Sequence, residues 1–162
     1  MNEDWWTRPV TDADADGLIA LIGATYAEYP GCVLDLPGVD ADLLEPATAT
    51  RAVDGRWWVV EAPGSGVVAT VGAGPRDEHG DVELKRLYVA AGHRRRGLAA
   101  QLVARVEDRA TELAADRVVL WSDTRFTDAH RFYERLGYHD TGARRDLHDP
   151  SDTTEINYVR RL

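Results

Sequence analysis

The sequence predicts a mixed α/β fold built on one sheet, with about four flanking helices. Two observations predict this class. Three strand-like runs follow one another across Gly- and Pro-containing turns, which is typical of an antiparallel meander. Further along, a strand, a long amphipathic segment and a second strand come in that order, which indicates a parallel pair with a right-handed crossover. The sheet is therefore expected to be antiparallel at its start and parallel in its middle.

Composition limits the broad class of protein. The 162 residues suffice for one domain with its own core, so we expect a single domain over 1–162. A formal net charge of −9 disfavours a nucleic-acid partner, and no apolar run is long enough to cross a membrane. One cysteine, Cys32, excludes an intrachain disulfide, and residues 1–6 lack the apolar core of a signal peptide. We therefore expect a cytoplasmic protein.

The first half of the chain predicts a helix, an acidic segment and three strands. Thr11 is a candidate N-cap, and an apolar helical face continues to about Tyr29. Residues 28–46 contain five acids and no basic residue. We interpret them either as a solvated loop with a short helix or as the wall of a pocket for a cation. Three strands are then predicted, at 57–61, 67–71 and 81–89.

The third of these strands contains an irregularity. Its apolar residues alternate in one phase up to Leu84 and in the opposite phase from Leu87. The phase change at Lys85-Arg86 predicts a β-bulge, which bends a strand and leaves backbone groups unpaired. The alternative is a strand that is buried on both faces after residue 86.

A basic turn follows the strand and opens the next helix. It consists of Arg94, Arg95, Arg96, Gly97, Leu98 and Ala99. Backbone N–H groups of such a turn and of a helix N-terminus converge on one place and attract an anion. Because arginines add charge and paired donors that suit phosphate, the turn predicts a site for a phosphorylated ligand.

The second half of the chain predicts two helices, a strand and a hairpin. The spacing predicts a helix over 98–113, a strand over 118–121, a helix from 127 or 128 to 136, and hairpin strands over 138–142 and 154–160. Gly137 is the expected C′ residue of the second helix. The polar residues 146–152 lie between the hairpin strands and predict a loop.

Taken in order, these motifs resemble the GNAT family of acyl-CoA-dependent N-acyltransferases over nearly the whole chain. The segment 83–89 runs into Arg94-x-x-Gly97-x-Ala99, which is similar to the family's pyrophosphate loop. Ala129-x-x-Phe132-Tyr133-x-x-x-Gly137-Tyr138 matches its later helix and turn, and Arg8-Pro9-Val10-Thr11-x-x-Asp14 matches its opening. One position departs from the family pattern. Phe126 stands where many members have an asparagine that contacts the cofactor.

The resemblance implies acetyl-CoA as the cofactor, lying in a V where strands 82–89 and 118–122 splay apart. Backbone groups of Leu87, Tyr88 and Val89 are then expected to pair with the pantetheine arm. An amide, at Leu87 or Val89, would polarise the thioester carbonyl. The amides of Arg95, Arg96, Gly97, Leu98 and Ala99 would hold the pyrophosphate, with charge added by Arg94 or Arg96.

The resemblance also implies direct acetyl transfer to a primary amine of a small molecule, amino acid or peptide, which the acidic segment suggests is cationic. Tyr133 is the expected general acid, the alternative being a core aromatic. Glu83 is the expected base, acting directly or through water, the alternative being an exposed strand glutamate. Its rivals are Glu61, Asp123 and an acid of the 28–46 segment.

Several residues carry weaker expectations. The five histidines share no metal-ligand spacing, so we expect no metal site, and His130 is expected at the surface. Trp5 and Trp6 are candidates for a subunit contact, which favours a homodimer. Since Phe126 departs from the pattern and the base is uncertain, a catalytically silent acyl-CoA-binding module stays open as the alternative function.

Overall fold

The computed structural model describes residues 4–162, so the first three residues of the predicted N-terminal stretch lie outside the described part. The strands are β1 (Trp6–Pro9), β2 (Arg56–Ala62), β3 (Gly66–Arg76), β4 (Asp81–Val89), β5 (Arg117–Asp123), β6 (His139–Asp146) and β7 (Thr154–Arg161). The helices are α1 (Ala15–Tyr26), α2 (Pro46–Ala52), α3 (Leu98–Glu112) and α4 (Thr127–Arg135). The strands form one sheet in the order β1-β2-β3-β4-β5-β7-β6. Among the strands of residues 4–162, only β4 and β5 pair in parallel, which confirms the predicted mixed sheet.

The sheet separates two layers of apolar packing. Leu18 and Ile22 of α1 lie in one cluster of buried side chains, whereas Leu102 of α3 lies in the other. In β2 the consecutive residues Val59 and Val60 belong to opposite clusters, as the pleat of a strand requires. Helices therefore cover both faces of the sheet. No helix in the described range has the length and apolar character needed to cross a membrane.

Three predicted boundaries were wrong, and one of them is the end of β3, which runs to Arg76 and not to residue 71. The first helix ends at Tyr26, because the N–H groups of Glu28 and Tyr29 close tight turns onto carbonyls three residues earlier. In the C-terminal hairpin, β6 continues past Gly142 to Asp146 through a bulge. Gly142 has a φ of 87° there, so the glycine bends the strand instead of ending it.

The two parallel strands separate halfway along their length. Pairing of β4 with β5 runs from Asp81 to Leu84 on the β4 side and then stops. Strand β5 continues to Asp123, but it does so paired only with β7. The backbone of β4 beyond Leu84 therefore borders an open V, as the family resemblance implied.

The predicted bulge lies where this separation begins. On the other edge of β4, the register with β3 shifts between Lys85 and Tyr88, so that one extra residue of β4 is accommodated. Arg86 has a φ of 53°, in the left-handed region that disfavours side chains with a Cβ. The bulge is thus confirmed, and it bends β4 away from β5.

This backbone conformation gives a testable stability order. We expect Arg86→Gly to be more stable than Arg86→Ala by about 1 kcal/mol, because both lose the guanidinium but only glycine adopts positive φ without strain. Urea unfolding measures the difference. At the neighbouring Lys85, which is not in the left-handed region, the same pair should show the opposite order, since glycine weakens an ordinary strand. Equal stability of the two Arg86 variants would contradict the inference that the backbone at Arg86 is strained.

Candidate functional site

The V opens into two cavities that share a wall. Their volumes are about 540 and 740 Å³, within the range that suits small ligands. The side chains that line both are Leu87, Tyr88, Phe126, Ala129 and Tyr133. A ligand in one cavity therefore meets a ligand in the other at the end of β4 and the start of α4.

The larger cavity is basic, and we call it the basic cavity. Its charged side chains are the carboxylates Glu28 and Asp128 and the guanidinium groups Arg94, Arg95, Arg131 and Arg135. They leave a formal surplus of two positive charges. The smaller, acidic cavity has six carboxylates, from Asp40, Asp42, Glu83, Asp123, Asp149 and Glu155, against the cations Lys85, Arg86 and Arg145. Its surplus is three negative charges, so the two sides favour opposite ligands.

The turn after β4 presents free backbone amides to the basic cavity. Helix α3 makes its first internal hydrogen bond from the Gln101 N–H to the Gly97 carbonyl, at 3.1 Å. Within residues 4–162, the N–H groups of Arg95, Arg96 and Gly97 donate to no backbone or side-chain acceptor. Gly97 has a φ of 78°, and a Cβ built on it would meet no atom within 4 Å. Free amides around space that a Cβ would fill suit a pyrophosphate.

The three arginines of this turn differ in their placement. Arg94 forms a two-pronged ion pair with Glu28, at 2.7 and 2.8 Å, and its Nε donates to the Val89 carbonyl at 2.9 Å. The charge of the Arg94 guanidinium is therefore neutralised, and its hydrogen-bond donors are occupied. Arg95 and Arg96 are exposed, but only Arg95 lines the basic cavity. Of the predicted cofactor-binding residues, Arg96 alone lies outside both cavities.

The open edge of β4 presents backbone groups to the V. The N–H of Ala90 donates to the Val68 carbonyl of β3, at 2.8 Å. Because backbone groups alternate in direction along a strand, the N–H groups of Val89 and Leu87 point away from β3, into the V. The amides of Leu87 and Val89, which were the expected donors, therefore both face the V.

Tyr133 lies in that wall at the inner face of α4. Only 6% of its surface is exposed, and its ring packs against Phe132, Tyr138 and Tyr158 at centroid distances of 5.4, 5.9 and 6.2 Å. Its hydroxyl makes no hydrogen bond within residues 4–162. Burial, with a smaller effect of Tyr88, raises the pKa of this hydroxyl above its usual value. Tyr133 therefore holds its proton at neutral pH.

Glu83 is half-buried on β4 and lines the acidic cavity. Its nearest cation is the Nζ of Lys85, at 3.8 Å. The rival carboxylates are held more tightly by arginines. Asp123 pairs with Arg125 at 2.8 Å, whereas Glu61 pairs with Arg8 and lines neither cavity. Among the candidate bases that line the acidic cavity, Glu83 is therefore the one without an arginine partner in the described residues.

The acidic 28–46 segment lines the acidic cavity, but its charge is largely neutralised. Arg86 pairs with both Asp40 and Asp42, at 2.8 Å for the first, and Glu28 is held by Arg94. Neither sequence interpretation was complete. The segment is a cavity wall, yet its carboxylates are mostly tied to arginines from elsewhere in the chain.

The structure shows the contacts of three aromatic or imidazole side chains in this region. Phe126 packs against Tyr29 at 4.7 Å, so an aromatic contact occupies the place of the family's asparagine. Trp121 lines the acidic cavity with the Arg145 guanidinium 4.3 Å from its ring centroid. The expectation of a surface His130 was wrong. This residue is 9% exposed, and its Nε2 bonds the Asp123 carbonyl at 2.9 Å, because it shares the inner face of α4 with Tyr133.

Comparison with known proteins places this geometry in a family. The model of the acetyltransferase (GNAT) family matches residues 22–138. A Mycobacterium bovis protein named as an uncharacterized N-acetyltransferase is 31% identical over 81% of this chain and 86% of its own length. N-acetylaspartate synthetase of Danio rerio is 30% identical over 82% of this chain and 48% of that protein. A Salmonella typhimurium acetyltransferase, solved with its cofactor acetyl-CoA, superposes with a TM-score of 0.71 at 18% identity, covering 98% of this chain and 94% of that one.

Proposed function

The chain belongs to the GNAT family and is an acetyl-CoA-dependent N-acetyltransferase, and we propose that its acceptor is a primary amine of a small cationic molecule. The single observation that carries the proposal is the position of Tyr133, in the wall between a basic and an acidic cavity. One cavity suits a polyanionic cofactor and the other suits a protonated amine.

Acetyl-CoA fits the basic cavity. When bound, it supplies an acetyl thioester whose departing thiolate needs a proton. The free amides of the turn before α3 would hold its pyrophosphate, with charge from Arg95. Arg94 acts indirectly, since its bonds to Glu28 and to Val89 fix the turn against α1 and β4. The amides of Leu87 and Val89 would orient the acyl end.

The two proton transfers are assigned to Glu83, which lines the acidic cavity, and to Tyr133, which lies in the shared wall. Glu83 takes a proton from the incoming ammonium, directly or through water, because an ammonium must be deprotonated before it can attack. Tyr133 releases the proton on its Oη toward the leaving sulfur. Cys32 lines the acidic cavity beside Asp123, but burial raises the pKa of its thiol, which opposes a thiolate nucleophile and favours direct transfer over an acyl-enzyme.

The charge of the acidic cavity favours some amines over others. A second positive group on the acceptor gains from the surplus carboxylates, whereas an acceptor carboxylate is repelled. The Danio rerio relative is named for an acidic product, so we expect this chain to differ from it in acceptor charge.

A thiol-release assay tests this function. Purified protein with acetyl-CoA is offered spermidine, an aminoglycoside, lysine and aspartate. We expect turnover with the polycations and little with aspartate. Saturable acetyl-CoA binding without turnover of any amine would contradict the function, and a preference for aspartate would contradict the proposed acceptor class.

Glu83→Gln tests the base. We expect kcat/KM for the acceptor to fall by about 10²-fold, because the amide keeps the shape of the side chain but accepts no proton. Glu155→Gln is a matched control, since Glu155 lines the same cavity but is held by Arg145 at 2.7 Å. Equal losses in the two variants would mean that the cavity's charge matters rather than a base at Glu83.

We also propose a cytoplasmic homodimer. The support for the dimer is Trp6, which is 50% exposed although its indole N–H is held by Glu61. A large apolar ring fixed at the surface is typical of subunit contacts. Light scattering of the purified protein and of Trp6→Ala tests the oligomeric state.

A further inference from the structure

A closed circuit of polar contacts joins three segments at one wall of the acidic cavity. We call it the Ser151 junction, formed by Cys32, Val33, Asp123, Arg125 and Ser151. The Ser151 hydroxyl accepts the Val33 N–H at 2.9 Å and donates to the Val33 carbonyl at 3.0 Å. Ser151 is 7% exposed. This side chain therefore connects the loop between β6 and β7 to the segment after α1.

The circuit closes through the end of β5. Arg125 donates from Nη2 to the Ser151 carbonyl at 3.0 Å, and from Nη2 and Nε to Asp123 at 2.8 and 3.0 Å. Cys32 lies next to Val33, and its Sγ is 3.8 Å from an oxygen of Asp123. Asp123 and Cys32 are also buried, so water competes little for these contacts.

The junction belongs to the acidic cavity and not to the basic one. Cys32, Asp123 and Ser151 line the acidic cavity, and no member of the junction lines the basic cavity. Within residues 4–162, the two bonds of Ser151 to Val33 are the only hydrogen bonds between segment 30–46 and segment 146–153. Ser151 is therefore the direct hydrogen-bonded link between the two wall segments, and Arg125 adds an indirect link through Asp123.

We propose that Ser151 and Arg125 are positioning residues for the acceptor amine, holding the two wall segments at the spacing that binds it. The inference rests on the proposed function, because it needs the acidic cavity to be the acceptor site. Acetyl-CoA binding is independent of the junction, since the basic cavity shares no residue with it. Loss of the junction therefore weakens acceptor binding selectively.

Ser151→Ala tests this role. Val33 is 49% exposed, so its backbone groups turn to water when the hydroxyl is removed, and the variant is expected to fold. We expect the KM for spermidine to rise about tenfold while the Kd for acetyl-CoA stays unchanged. Arg125→Lys keeps the charge beside Asp123 but lacks the paired donors of a guanidinium. It should shift the KM for spermidine in the same direction.

Cys32 supplies a readout that needs no turnover, because it is the only cysteine of the chain. We expect N-ethylmaleimide to label it at least about fivefold faster in Ser151→Ala, since the wall that covers it has loosened. Thr48→Ala is the matched control. It removes a comparable tether, from Thr48 to Asp12 at 2.6 Å, at a place that lines neither cavity.

The outcomes separate the two proposals. An unchanged spermidine KM, or a rise in the acetyl-CoA Kd as large as that in KM, would overturn the positioning role. Unchanged Cys32 labelling would do so as well. If no amine is turned over by the unaltered protein, the proposed function fails, whereas the labelling rates still report whether Ser151 holds the wall.

Discussion

Replacing Tyr133 with phenylalanine is expected to lower kcat by about 10²-fold or more, while the Kd for acetyl-CoA stays unchanged. Loss of a positioned proton donor typically costs this much. The hydroxyl is the only group removed, and it makes no hydrogen bond within the described residues. Steady-state thiol release and calorimetric titration with acetyl-CoA measure the two quantities.

The control for this variant is Tyr158→Phe. Tyr158 is buried, its ring lies 6.2 Å from that of Tyr133, and it lines neither cavity, so the same chemical change should leave kcat near wild type. The pH profile adds a second test. Because the pKa of Tyr133 is raised above its usual value, the acid stays protonated beyond pH 10, and no alkaline loss below that pH should come from it. Wild-type kcat in Tyr133→Phe would remove this residue from the mechanism.

Replacing Gly97 with alanine is expected to raise the Kd for acetyl-CoA by about 10- to 100-fold. The added Cβ meets no protein atom within 4 Å, so it points into the space where the pyrophosphate would approach the amides. Charge-assisted hydrogen bonds are worth about 1.5–3 kcal/mol each, and 1.4 kcal/mol corresponds to tenfold in Kd. Calorimetry with acetyl-CoA measures the loss.

Gly142→Ala separates this steric effect from backbone strain. Gly142 has a φ of 87° and also has no atom within 4 Å of a built Cβ, but it lies on β6 outside both cavities. Both variants should therefore lose a similar free energy of unfolding, about 1 kcal/mol, from positive φ. Only Gly97→Ala should lose cofactor affinity. Equal Kd values in the two variants would mean that the turn does not hold the pyrophosphate.

Local patterns were enough to predict the features that depend on a few consecutive residues. The phase change at Lys85-Arg86 predicted the bulge because alternation is a property of one strand. The turn that ends in Gly97 predicted free amides for the same reason, since a helix N-terminus leaves them unpaired wherever the helix lies. The order of elements then sufficed to predict the mixed sheet.

Charges and distant contacts were harder to predict. The sequence shows five acids in 28–46, but it does not show that Arg86 and Arg94 fold back onto three of them. The expectation of a surface His130 failed, because its burial depends on which face of α4 meets the sheet. Ser151 carried no motif, so nothing in the chain indicated that it lines a cavity.

By itself the sequence determined the family, the mixed sheet, the bulge and the turn with free amides before α3, because each depends on short-range spacing or on motif order. Only the tertiary structure decided which cavity carries which net charge, that Arg96 stands apart from the site, and that Ser151 joins two segments 118 positions apart. These features arise from contacts between elements that are distant in sequence. Their geometry is determined by how the helices and loops pack around the V, and no local pattern encodes it.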